Sequence, residues 1–439
     1  MQPNRRILLG AAGLISVCAF AGLDGSYVLA LDHAAIQYET RALTDPVTRI
    51  AGQLRRGEVK LDYNPQTGYL AAVLKLLQVP VSSQVLVYSK TSFQAPRISP
   101  QTPRALYYND NVAVGYVKGG DVLEIAAVDP QAGAVFFTLD TEQVSNPRIE
   151  RRTNDCLQCH QSGGTLGIPG LMVRSVYPDR NGQPMFQAGS FVTDHRSPLQ
   201  QRWGGWYVTG TSGSQEHMGN SVIEEGQSPD SIVGKGSNVT DLKWRFDESA
   251  YLSSHSDIVA LMVLEHQTRM SNLITRVNYE TRMAILEQSA MNRELKEPAD
   301  HMSESVRHRI ASAGEEIVKY MLFTDEAAIS SEIKGTSAFT SEFAGKGPKD
   351  HLGRSLRDLD LKHRMFRYPC SYLIYSEAFD GLADDAKQYV YRRLWEVLSG
   401  QDQSKPFTRL SSTDRQNILA ILRETKKDLP EYWNSAGEQ

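Results

Sequence analysis

Residues 112–140 read VAVGYVKGGDVLEIAAVDPQAGAVFFTLD, and this stretch decides the fold. Val112 to Val117, Val122 to Val128 and Ala134 to Leu139 are short runs of β-branched, aromatic and small apolar residues, which suit a pleated, half-buried surface. Lys118-Gly119-Gly120-Asp121 and Asp129-Pro130-Gln131-Ala132-Gly133 separate them. Two strands joined through Gly-Gly make a hairpin, so the region reads as antiparallel β. Upstream, Val85-Leu86-Val87-Tyr88 and Ala105-Leu106-Tyr107-Tyr108 have the same character. Asp24 to Pro80 is mixed, and Tyr69 to Leu77 (YLAAVLKLL), apolar on nearly every side, predicts a short buried helix. Downstream, Leu171 to Tyr177 and Pro184 to Val192 read as strands around an Asn181-Gly182 turn.

From Ser256 the period changes. Val259, Val263, His266, Met270, Leu273 and Val277 follow steps of four and three and share one helical face. His266 on that face reads as a core histidine. Val306, Ile310, Ala313, Ile317 and Met321 mark a second amphipathic helix, and Leu382 to Leu398 a further one with Gly400 past its end. Ser330 to Asp350 reads as a loop, and Thr413 with Gln416 as a capping box before the last helix. The expected class is α+β. A β-rich N-terminal region and middle precede a mainly α-helical C-terminal half.

Where the β region ends stands Cys156-Leu157-Gln158-Cys159-His160, the C-x-x-C-H attachment signature of a c-type haem. Two thiols at this spacing can add to the two vinyl groups of one porphyrin, and the adjacent histidine supplies an axial nitrogen. A structural zinc site needs four ligands, and the remaining cysteines, Cys18 and Cys370, form no second pair. A thioredoxin-like pair would open a helix of a β-α-β unit, whereas Gln161-Ser162-Gly163-Gly164 breaks the chain here. Arg148, Arg151 and Arg152 precede the motif. They could meet haem propionates or an acidic partner, and the plainer reading is a solvated charged segment.

The chain has 439 residues, with 47 Lys+Arg against 51 Asp+Glu and a net charge of −4, which gives no argument for nucleic acid or an anionic membrane surface. Arg5-Arg6 precede an apolar run from Ile7 to about Leu23, with Ala19-Phe20-Ala21 as an A-x-A cleavage site. Residues 1–21 read as a signal peptide, with an uncleaved membrane anchor as the alternative. The expected location is the bacterial periplasm or another exported site, where c-type haem is attached. The expected divisions are 22–145 (mixed, β-rich), 146–240 (haem-binding) and 241–439 (helical). Cys370, among aromatics, reads as a buried inert thiol.

Gly163-Gly164-Thr165-Leu166-Gly167-Ile168-Pro169-Gly170-Leu171 resembles the loop that follows C-x-x-C-H in class I cytochromes c. That resemblance covers Thr153 to Leu171 and implies that the Pro169 carbonyl accepts a hydrogen bond from the proximal His160. The whole chain is also similar to larger exported bacterial proteins that carry a cytochrome c domain. The β-rich continuation departs from the small helical cytochromes. Candidates for a sixth iron ligand are His217, Met218 and His195, with Met172 and Met185 also in reach, and Trp203 and Trp206 are candidate pocket walls. The expectation is an exported monohaem c-type cytochrome, carrying one covalent haem c and passing single electrons to a redox partner protein. Cys156 and Cys159 would be the tethers and His160 the axial ligand. The alternatives are a peroxidase-like oxidoreductase with an open sixth position and a haem-based sensor.

Overall fold

The computed structural model describes residues 28–434, so the expected signal segment and Cys18 lie outside it. The class is α+β: an antiparallel seven-stranded sheet occupies the N-terminal half and helices dominate the C-terminal half. Helices α1 (Pro46–Arg55) and α2 (Leu70–Leu76) precede the sheet. Asp45 caps α1, its carboxylate accepting from the Val47 and Thr48 amides. The strands are β1 (Val85–Val87), β2 (Arg104–Tyr108), β3 (Val112–Val117), β4 (Val122–Asp129), β5 (Gly133–Asp140) and β6 (Ile149–Arg152). After helix α3 (Asn154–His160) come β7 (Val173–Val176), β8 (Ser190–Thr193), β9 (Trp206–Tyr207) and β10 (Gly210–Thr211). The sheet order is β6-β5-β4-β3-β2-β1-β9, while β7 and β8 form a separate pair.

The five strands expected from Val85 to Leu139 are present. The strand expected over Pro184 to Val192 is only its last part. A 3-10 turn at Phe186–Ala188 and the left-handed Gly189, at φ 118°, delay pairing until Ser190.

Register sets up the site. Pairings Leu106↔Gly115, Gly115↔Glu124, Ala126↔Phe136 and Phe136↔Arg152 put these residues on one face. Tyr107, Val114, Ile125 and Phe137 alternate onto the other face and enter the main core. That core draws residues from Leu29 to Trp433.

Helix α4 (Ile258–Leu295) holds the two halves together. The fully buried Asp257 caps it, accepting from the Val259 and Ala260 amides and also from the Thr336 and Ser337 amides at 2.8 Å each. Residues 258–268 are buried on every side, not on one stripe, because strands pack on one flank and α5 (Glu304–Met321) on another. His266 is a satisfied core histidine, with Nδ1 at 2.9 Å from His195 Nδ1 and Nε2 at 2.8 Å from Ser371 Oγ. The stretch expected as a loop contains a short strand, β11 (Lys334–Gly335), paired with β10, and α6 (Phe339–Gly345). Helices α7 (Glu377–Asp380), α8 (Asp384–Leu398) and α9 (Ser412–Thr425) complete the C-terminal half. The last capping box is Ser411 with Asp414, two residues before the expected pair, because Ser411 is where the extended chain meets the helix.

Candidate functional site

The face of the sheet that carries Leu106, Gly115, Ala126 and Phe136 is the floor of a cleft, open to solvent on one side. Its lining is mostly apolar with a few polar groups, as in small-molecule and cofactor sites. Helix α3 forms part of its wall and supplies Cys156, Cys159 and His160. The spacings i, i+3 and i+4 place the three on one helical face. Cys156 is half-buried and packs with Ala126, Ala134 and Phe136, whereas Cys159 is exposed, and both are free thiols. Burial pushes the Cys156 thiol up to about 11.

The helix stops at His160 because the next ten residues turn back on it. Thr165 Oγ1 donates to the Ile168 carbonyl at 2.8 Å, and Leu166 and Gly167 adopt left-handed backbone at φ 61° and 71°. The loop closes on His160 twice. The Gly170 amide donates to the His160 carbonyl at 2.9 Å, and His160 Nδ1 lies 2.9 Å from the Gly170 carbonyl. The role expected of Pro169 therefore falls to the next residue. The Pro169 carbonyl instead accepts from the Ala134 amide of β5 at 3.2 Å.

A carbonyl only accepts, so Nδ1 carries the proton and Nε2 keeps its lone pair. Burial, first, holds the ring below the ordinary histidine range; the Arg104 and Arg174 charges act in the same direction, and the Gly170 bond opposes them. His160 is thus a neutral imidazole in a fixed tautomer, tilted against Phe136 with ring centroids 4.7 Å apart. Asn272 of α4 fastens the loop, accepting from the Leu171 amide at 3.2 Å and donating to its carbonyl at 2.7 Å.

The other candidates separate clearly. His217, Met218 and His195 do not line the cleft. His217 is buried, its Nδ1 accepting from the Gly219 amide at 3.1 Å and its ring edge-on to Trp203, and burial lowers it to about 4. Met218 is fully buried, its sulfur 3.7 Å from Ser175 Oγ. His195 is stacked on Tyr320 with centroids 4.1 Å apart and belongs to the His266 cluster. Met172 does line the cleft, with its sulfur packed against Gly164. Trp206 also lines it, tied to the Arg174 carbonyl at 2.8 Å, whereas Trp203 is core.

Of the three arginines before the motif, Arg151 is structural, bonded to the Tyr38 and Glu39 carbonyls. Arg152 lies on the cleft face, bonded to Thr138 Oγ1 at 2.9 Å, and Arg148 is exposed. Sequence reading missed Arg104 and Glu124, an ion pair in the cleft wall, as well as Gly170 and Asn272. Only strand register could have pointed to the first two, since Gly115 lies between them in the sheet.

Among the described residues no cluster of three or more His, Cys, Asp or Glu side chains could hold a bare metal ion, and no helix is long and apolar enough to cross a membrane. No protein-family model matches the chain, and no curated protein or solved structure matches it.

Proposed function

We propose that the chain is an exported monohaem c-type cytochrome that carries single electrons to a redox partner protein. One observation carries the reading. His160 has its Nδ1 proton committed to the Gly170 carbonyl, which leaves Nε2 as the donor, and it shares an apolar cleft with the free thiols of Cys156 and Cys159. A lone imidazole beside two tethering thiols suits a porphyrin, which brings its own four nitrogens to the iron, better than a bare ion. A haem held there would supply reversible one-electron iron chemistry.

In this reading Cys156 and Cys159 would hold the haem as thioethers and His160 would bind its iron. Leu106, Ala126 and Phe136 give the macrocycle a dry floor. Arg152 and, beside its pair with Glu124, Arg104 lie on the same face of the sheet and would supply positive charge for its carboxylates. Met172 lines the cleft, which His217, Met218 and His195 do not, and would be the candidate to offer the iron a sixth ligand. The Gly170 bond makes His160 the better donor, and the low dielectric of the floor strengthens the effect of the nearby Arg104 and Glu124 charges.

The test is to express the full chain in a host that exports it and matures c-type haem, record oxidised and reduced spectra, and titrate the potential. A low-spin haem with a reversible one-electron wave, converted to high spin by Met172→Ala, supports the carrier. A high-spin haem in the unsubstituted chain that turns over peroxide replaces it with the oxidoreductase reading. A high-spin haem that binds small gases without turnover replaces it with the sensor.

A further inference from the structure

Glu124 stands on the cleft face of β4 and gathers donors from two directions. Its Oε1 accepts from Ser92 Oγ and from Gln94 Nε2, both at 2.8 Å, while Oε2 pairs with the Arg104 guanidinium. Ser92 and Gln94 flank Phe93, which lines the cleft yet is 64% exposed.

The main chain here joins no strand. The Thr91 amide bonds to the Ser89 carbonyl, the Ala95 amide to Ser92 and the Arg97 amide to Gln94, all within the segment. The segment is fixed to the body at its two ends, through the Lys90 amide on the Gly182 carbonyl and the Arg97–Asp121 ion pair. Between those ends it is held by the side chains of Ser92 and Gln94, on Glu124 and, at 3.3 Å, on the Val122 carbonyl. A segment with anchored ends, a span tied by a few side-chain bonds and an exposed aromatic tip at the mouth of a cleft has the anatomy of a flap. Glu124 is also near enough for its charge to act on both Cys156 and His160.

We propose that Thr91–Gln94 is a flap over the Cys156–His160 cleft and that Glu124 is its latch, a positioning residue that keeps the flap closed until a planar cofactor is to enter. The cofactor's identity rests on the haem reading; the flap rests on the latch geometry alone. Arg104 holds the far oxygen of Glu124, so the latch point stays in place when the flap swings.

The haem-free chain, made without haem maturation and kept reduced, carries both thiols and provides the test. Cys156, half-buried, reports access to the cleft, and the exposed Cys159 is the internal reference. Iodoacetamide labelling of each is followed by peptide mass spectrometry. Ser92→Ala/Gln94→Ala removes the two bonds to Glu124 and leaves the Arg104 pair intact. Losing two hydrogen bonds to a charged acceptor, together with the longer Gln94 bond to the Val122 carbonyl, should raise the open population, and the Cys156 rate relative to Cys159, by about tenfold or more. Phe93→Ala, at an exposed position, should raise the same ratio with the latch intact, which keeps the test decisive should the double variant not fold. An unchanged ratio in the folded variants overturns the flap. Equal acceleration of both thiols overturns it too, since it reports general loosening. The haem reading is judged separately by the matured protein's spectrum.

Discussion

Gly170→Ala tests how α4 governs the histidine-bearing loop. Gly170 is buried and does not use left-handed backbone, so alanine meets no conformational penalty there. The cost is steric. A Cβ at this position would lie 2.3 Å from Asn272 Oδ1 and 2.8 Å from its Cγ. Asn272 must swing away and release the Leu171 amide and carbonyl, which it holds at 3.2 and 2.7 Å. Two hydrogen bonds at about 1 kcal/mol each, plus incomplete solvation of the freed groups, give a loss of about 2–4 kcal/mol. Thermal unfolding of Gly170→Ala, Asn272→Ala and the double variant measures it. Asn272→Ala loses the same two bonds, and the double variant keeps only the milder 3.1 Å contact of the new Cβ with Thr165 Cβ, so it should be little less stable than Asn272→Ala alone, a coupling nearly as large as the single effect. Additive losses in the double variant would refute the reasoning. In Gly170→Ala the His160 Nδ1 proton should also exchange faster with water by NMR, because its acceptor moves with Asn272.

Three further outcomes follow from the same contacts. His217 is held neutral by burial, at about 4 in the folded state against an unfolded value near 6.5, so its contribution of roughly 3 kcal/mol is complete above pH 6.5 and is lost as pH falls toward 4. His217→Gln should flatten the acid limb of a melting-temperature profile over that window, and an unchanged limb would contradict the assignment. Asp257→Ala should cost about 3–5 kcal/mol in denaturant melts, since it uncaps α4 and strands the Thr336 and Ser337 amides, whereas a loss under 1 kcal/mol would show that water replaces the carboxylate. Cys370 is fully buried and its thiol is pushed up to about 12, so it should resist alkylation at pH 8 in the folded protein and react once urea is added.

The strands from Val85 to Leu139 are legible in the sequence because their signals are local: β-branched runs and turn residues at fixed offsets. The cleft floor is only half legible. Alternation splits each strand into two faces, but only the pairing register puts Gly115, Ala126 and Phe136 on the same one, and neither says which face the C-terminal half leaves open. Helix α4 shows a one-sided stripe because its buried polar residues interrupt the apolar pattern. Glu265, for instance, is fully buried against Arg202, and that partner lies 63 residues away. The choice of Gly170 over Pro169 is made in a loop with left-handed backbone at Leu166 and Gly167, and nothing in the identity of leucine announces such a conformation. The sixth-ligand candidates illustrate the limit of counting along the chain. His217 and Met218 lie at a plausible distance from the motif, yet one bonds within its own turn and the other packs on Ser175. Met172, much closer in sequence, is the one brought to the cleft.

If Cys156 and Cys159 hold one haem covalently, the intact mass of the denatured chain must carry it. The full chain is exported in a host that matures c-type haem, unfolded, extracted with acidified organic solvent and weighed beside Cys156→Ala/Cys159→Ala. A mass gain of one haem per chain that survives extraction and is absent from the double variant is expected. A chain that emerges with its bare polypeptide mass, from a host shown to mature a control cytochrome, would contradict covalent attachment.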